Sequence, residues 1–129
     1  MPRLSSGIRK DSSFLNLKPI DLKDVRNEVD AMLVNDEIVI AAFKTIRDQV
    51  IFTNKRVFVI NVQGVTGKKT AYFSYPYSKV QYYSIETAGV LDIDSELKIA
   101  FSNGEFLQFD FRSKVNIRQI SQAIGQYIL

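Results

Sequence analysis

Residues 96–112 read ELKIAFSNGEFLQFDFR, and their alternation decides the fold class. Leu97, Ile99 and Phe101 oppose Lys98, Ala100 and Ser102, while Leu107, Phe109 and Phe111 oppose Gln108, Asp110 and Arg112. A period of two puts every second side chain on one face, so each run is a strand with one face on a core and one in water. Between them stands Asn103-Gly104, the pair that supplies positive φ cheaply and predicts a type I′ hairpin.

Working backward, the same β-like texture extends to Glu37. Runs over 37–44, 49–53, 56–62, 68–75 and 80–87 are bounded by turn residues at 54–55, 64–67, 76 and 89–95, which brings the expected strands to seven. In 37–44 and 56–62 both faces are apolar, so something must cover each side: a second protomer or a preceding helix. Leu22, Val25, Val29, Met32 and Leu33 recur at helical spacing after Asp21, which predicts one amphipathic helix of about 13 residues. Residues 1–20 show no sustained period and read as a loosely ordered arm, leaving 21–129 as the domain.

Working forward, Ser113 is the expected N-cap of a closing helix. Ile117, Ile120, Ile124 and Ile128 lie on one face of it, opposite Arg118, Gln119, Gln122 and Gln126. The class is therefore mainly β with a capping helix: a bent antiparallel sandwich or barrel of seven strands, one N-terminal helix and a C-terminal helix laid on the core.

The 129 residues fit one domain and one core. The chain has no cysteine and no histidine, which removes thiolate nucleophiles, imidazole bases and the usual zinc and copper ligands. We expect a non-enzymatic protein without cofactor or metal. The first 20 residues lack the apolar core of a secretory signal and no stretch is long enough to span a bilayer, so a cytoplasmic setting without membrane insertion is expected.

The net charge of +3 is small but unevenly distributed. Residues 21–43 are net negative. From Lys44 to Lys79, Lys44, Arg47, Lys55, Arg56, Lys68, Lys69 and Lys79 face only Asp48; from Val80 to Phe111, Glu86, Asp92, Asp94, Glu96, Glu105 and Asp110 face only Lys98. Lys44, Arg47, Lys55, Arg56, Lys68 and Lys69 lie at or beside three successive turns, where convergence would suit an anionic partner; a solvated rim of turn lysines is the more ordinary outcome. Asp92, Asp94 and Glu96 could offer oxygens to a hard cation, but the loop lacks the EF-hand pattern, and an exposed acidic strand entry is the simpler reading. Tyr72, Phe73, Tyr75, Tyr77, Tyr82 and Tyr83 lie near the basic turns as stacking platforms for single-stranded nucleic acid would. Without an RRM-type motif, cross-strand packing is preferred and no nucleic acid is expected.

Several motifs in order, Ile46-Arg47-Asp48, Phe52-Thr53-Asn54-Lys55-Arg56, residues 63–69 (QGVTGKK), Tyr75-Pro76-Tyr77, residues 84–89 (SIETAG) and 92–98 (DIDSELK), resemble the bacterial pleckstrin-homology-like (PH-like) domain family over roughly residues 22–129. The resemblance implies a seven-stranded, strongly bent antiparallel sandwich closed by the C-terminal helix. It also implies homo-oligomeric rings, fivefold for single-domain members, and a role in protein interaction with a partner still to be identified. The charge polarity gives such a ring a rationale. A heterologous contact joins two different patches, here the basic Lys44–Lys79 region and an acidic one with Glu86, Asp92, Asp94 and Glu96. Anionic-lipid or nucleic-acid binding through the basic turns is the weaker alternative; for a lipid, Lys44 and Arg47 around one short turn are fewer cations than a phosphoinositide site of that fold draws on. A metal-dependent enzyme using Asp92, Asp94 and Glu96 is weaker still.

Overall fold

The structure, a computed structural model, describes residues 13–87, 95–112 and 115–129. Eight strands follow one another as β1 (Ser13–Pro19), β2 (Val39–Lys44), β3 (Gln49–Thr53), β4 (Arg56–Gln63), β5 (Lys69–Pro76), β6 (Val80–Thr87), β7 (Ser95–Phe101) and β8 (Phe106–Phe111). Two helices, α1 (Asn27–Met32) and α2 (Ile117–Ile128), accompany them, with short 3-10 turns at Leu22–Asp24 before α1 and at Tyr77–Lys79 between β5 and β6. The sheet runs β5-β4-β3-β2-β1-β8-β7-β6.

All seven expected strands are present, and the eighth is a correction. Residues 13–19, expected within an arm, pair antiparallel with β2 through Lys18 opposite Lys44, and parallel with β8 through Leu17 opposite Phe111. β1 thereby joins the two halves of the sheet. Its alternation is broken by a register shift between Phe14 and Leu17, where Asn16 takes φ +58°. That left-handed residue, tolerated by asparagine, is why the segment lacks a strand's period in sequence.

The inward side chains of the two halves form one core. Phe43, Val50, Phe52, Val57 and Val59 meet Leu97, Ile99, Leu107, Phe109 and Phe111. Phe52 lies 5.4 Å from Phe109 in an edge-on contact, and Phe43 lies 4.7 Å from Phe111. Such offset aromatic pairs each add about 0.5–1.5 kcal/mol beyond the area they bury. Ile117, Ile120 and Ile124 of α2 are buried in the same cluster, with Ile128 packed on its margin. The isoleucine stripe is core, as its spacing predicts.

Three local expectations change. The 102–104 loop is not type I′: only Gly104 has positive φ (+92°), Gly104 N–H donates to the Phe101 carbonyl at 3.0 Å, and Phe101 N–H to the Glu105 carbonyl at 2.9 Å. This is a three-residue loop with glycine in the left-handed position, and Asn103 Oδ1 accepts from Glu105 N–H instead of turning its own backbone. The single N-terminal helix is instead the 3-10 turn and α1, separated by Val25 and Arg26 in extended conformations. Two short pieces satisfy the helical spacing because Val25, Val29, Met32 and Leu33 still reach the outer face of β2–β4, packing with Ala42, Ile51, Phe58 and Ile60, while Leu22 is left exposed. These pieces are what covers the second apolar face of those strands.

The closing helix begins at Ile117 with Asn116 as N-cap, its Oδ1 accepting from Gln119 N–H at 3.1 Å. Ser113, the expected cap, lies outside the described residues. Asn116→Ala removes the acceptor of an otherwise orphaned helix donor and lowers stability by about 1 kcal/mol in urea titrations. Asn116→Asp, which keeps the acceptor, leaves the midpoint nearly unchanged.

Candidate functional site

The turns at 45–48 and 64–68 lie at one end of the sheet, and the turn at 54–55 lies at the other. The six cations expected to converge are therefore divided. Lys44, Arg47, Lys68 and Lys69 share the first end, all exposed. Arg47 Nη2 donates to the Gly64 carbonyl at 2.5 Å, tying the two turns together. Asp48 is consumed inside this end, accepting from Val62 N–H at 2.9 Å and Asn61 Nδ2 at 3.2 Å.

Lys55 and Arg56 sit at the far end and serve the fold. Lys55 Nζ stands 5.8 Å from the Tyr127 ring centre. Arg56 pairs with Glu37 at 2.8 Å, donates through Nε to the other oxygen at 2.9 Å and through Nη2 to the Met32 carbonyl, and covers the Phe58 ring. Glu37 has no exposed side-chain surface. Its carboxylate also accepts from Val34 N–H at 3.0 Å and from Thr53 Oγ at 2.7 Å, and Tyr77 Oη donates to the Thr53 carbonyl at 2.7 Å. Burial pushes the Glu37 carboxyl up, but the hydrogen bonds from Arg56, Thr53 and Val34 and the guanidinium charge outweigh it and hold the group below its usual range. Burial, and secondarily the Glu37 charge, pushes the Tyr77 hydroxyl far up, so it stays a neutral donor. Sequence reading placed Glu37 only as a strand start; nothing local marks a carboxylate whose partner is 19 residues away.

The aromatic set is also divided. Tyr77 is fully buried, Tyr83 Oη lies 2.7 Å from Ser121 Oγ, and Tyr72 Oη donates to Glu28 and accepts from Arg26. Tyr82 is the exposed member. Tyr75 and Phe73 stack along β5, with Tyr75 5.5 Å from Phe101. No stacking platform is assembled among the described residues.

Of the acidic set, Asp92 and Asp94 lie outside the described residues. Glu86 and Glu96 stand directly opposite each other on β6 and β7, and Asp110 of β8 stands opposite Glu96, forming a row of carboxylates across the outer face. Gln108 Nε2 donates to Glu96 at 2.7 Å, and Asp110 meets Arg112 at 3.6 Å. Among the described residues no group of acids is arranged to hold a metal ion, and no helix is long and apolar enough to cross a membrane.

Two features went unread in the sequence. Lys18, assigned to the arm, is brought beside Lys44 by the β1–β2 pairing. Ile46 and Val65, at the middles of the two adjoining turns, are 99% and 102% exposed. Their signal was an isolated apolar residue among Thr, Arg, Asp and Gly, too sparse to register as periodicity.

Comparison with known proteins places this geometry. The family model for the bacterial PH domain matches residues 9–128. YjqA, an uncharacterized protein of Bacillus subtilis (strain 168), is 44% identical over 117 residues, covering 89% of this chain and 94% of its own. Among solved structures, a DUF1696 family protein with a pleckstrin-homology domain from Shewanella loihica PV-4 superposes with a TM-score of 0.71 at 33% identity, covering 90% of this chain and all of that one. A pleckstrin homology domain from Shewanella amazonensis SB2B gives 0.58 at 37% identity, covering 85% and 90%. With the eight-stranded sheet and its capping helix, these matches establish that the chain belongs to the bacterial PH domain family.

Proposed function

We propose that the chain is a non-catalytic binding module that self-assembles head to tail into a homo-oligomeric ring and presents a polar surface to a protein partner in the cytoplasm. The observation that carries this reading is the open sheet: among the described residues β5 and β6, each of eight residues, have a neighbouring strand on one side only. Long open edges are templates for pairing with another chain. The two edges diverge from the corner at Tyr77–Lys79, so Lys68 and Lys69 lie at the far end of one and Glu86 at the far end of the other. Antiparallel joining of β5 in one copy to β6 in the next sets lysine against carboxylate. A heterologous contact of this kind closes into a ring when its rotation allows. The absence of histidine and cysteine from the chain supports the non-catalytic part.

Light scattering at micromolar concentration is expected to give a multiple of 14.7 kDa. Lys69→Glu weakens the assembly about fivefold or more, the equivalent of roughly 1 kcal/mol for an exposed pair. Adding Glu86→Lys in the same chain restores it. A single-chain mass for the unaltered protein contradicts the proposal, as does a Lys69→Glu variant that assembles unchanged.

A further inference from the structure

We infer that the outer face of β6, β7 and β8 is an interaction surface whose occupant is the chain's own residues 1–12, with Arg9 and Lys10 against Glu96 and Asp110 and with Ile8 against Tyr82, Ala100 and Phe106. The two halves of the sheet finish their outer faces differently. On β2–β4 that face is covered by Val25, Val29 and Met32. On β6–β8 the register sets Tyr82, Ala100 and Phe106 in one cross-strand row and Glu86, Glu96 and Asp110 in another, with Lys98 and Gln108 between them. Tyr82 is 53% and Phe106 38% exposed, so no described element lies over the aromatic row. Glu96 and Asp110 stand directly opposite each other, a like-charge pairing that costs free energy until a cation joins it. Gln108 donates to Glu96 at 2.7 Å, Arg112 meets Asp110 at 3.6 Å, and Lys98 Nζ is drawn over the Phe106 ring, 4.6 Å from its centre. Two carboxylates offer more acceptor positions than these donors fill.

The segment ahead of β1 has the complementary chemistry and the reach. Residues 1–12 (MPRLSSGIRKDS), outside the described residues, carry Arg3, Arg9 and Lys10 against Asp11 alone, with the branched aliphatics Leu4 and Ile8. β1 begins at Ser13, opposite Gln108 of β8. Asp110 and Phe106 lie two residues to either side of Gln108, each about 7 Å along the strand. Lys10 and Arg9 precede Ser13 by three and four residues, a span of roughly 10–14 Å before side-chain length is added. A tether this short holds the segment at an effective concentration on the order of millimolar, so individually weak contacts suffice. The carboxylates repel phosphates, which removes nucleic acid and anionic headgroups as ligands of this face. The surface is separate from the edge-to-edge contact proposed above, because Glu96, Ala100, Phe106 and Asp110 sit on β7 and β8, inside the sheet.

The chain has no tryptophan, so Phe106→Trp places a single emitter in the aromatic row. Acrylamide quenching of its fluorescence in the full chain is expected to be weak. Arg9→Glu with Lys10→Glu raises the quenching constant roughly threefold or more, the effect of one or two exposed ion pairs, and Glu96→Gln with Asp110→Asn does the same. Ile8→Ser raises it as well, and high salt follows the charge variants. Lys69→Glu, which acts on the edge contact, leaves the quenching weak. Tyr82→Trp is read in parallel and gives the same ordering, which separates loss of cover from damage to the β7–β8 hairpin. Quenching in the unaltered-arm reporters as strong as that of tryptophan in solution overturns the inference, as does weak quenching that none of the arm substitutions changes. Weak quenching that strengthens on dilution, or in Lys69→Glu, puts another copy on the face and overturns it likewise.

Discussion

Arg56→Ala is expected to lower unfolding stability by about 3–5 kcal/mol, because it strands a buried carboxylate rather than merely deleting a surface charge. The Glu37 side chain has no solvent exposure and receives two hydrogen bonds from Arg56. Without the guanidinium, Thr53 Oγ and Val34 N–H remain as donors, which is too little to hold a charge away from water. The loss extends to Met32 and Ser74, which Arg56 also bonds, so α1 and β5 loosen with it.

The pair also sets an acid limb on stability. Glu37 titrates below its ordinary 4.5 in the folded chain, so the unfolded chain binds the proton first as pH falls. Its contribution is then complete above about pH 4.5 and is lost as pH drops through the lower folded value. In Arg56→Ala the burial effect remains while the main opposing interactions vanish, so the Glu37 share of the acid limb shrinks or reverses and the stability gap between the two proteins narrows as pH falls. Chemical denaturation of both proteins across pH 3–7 checks this. Parallel curves for the two would show that the buried pair does not carry the dependence.

The second large effect falls on Leu17. Its side chain is fully buried in the main core at the seam where β1 lies between β2 and β8. Leu17→Ala forfeits the transfer free energy of the deleted groups and leaves a cavity in the main core, an expected cost of about 2–5 kcal/mol. Because β1 joins the halves, the loss should appear as one cooperative transition at a lower denaturant midpoint with an unchanged slope. A loss below 1 kcal/mol would mean that β1 is peripheral and the halves hold together without it.

Period-two alternation over 96–112, and the turn residues between the other runs, made the strands legible because each pattern is local. The isoleucine spacing made α2 legible for the same reason. β1 was not legible because one left-handed Asn16 interrupts its alternation, and its pairing with β8 is parallel and lies nearly a hundred residues away along the chain. The N-terminal helix was over-read because two short pieces bury the same side chains that one long helix would.

For the candidate site, the basic and acidic regions were legible as composition, but their division was not. Whether two turns share an end follows from the number of strands between them, so Arg56 went to a buried pair and Lys55 to Tyr127, while Lys18 arrived from a segment expected to be loose. The outward row of Glu86, Glu96 and Asp110 needed the register of three strands, which the spacing of charges does not contain.

Amide hydrogen exchange at two protein concentrations tests the self-assembly most directly. If β5 joins β6 between copies, the outward amides of both strands exchange slowly at high concentration and quickly on dilution, while the core strands β3, β7 and β8 stay protected throughout. Free exchange along both edges at every concentration would show that the open sheet is not the joint.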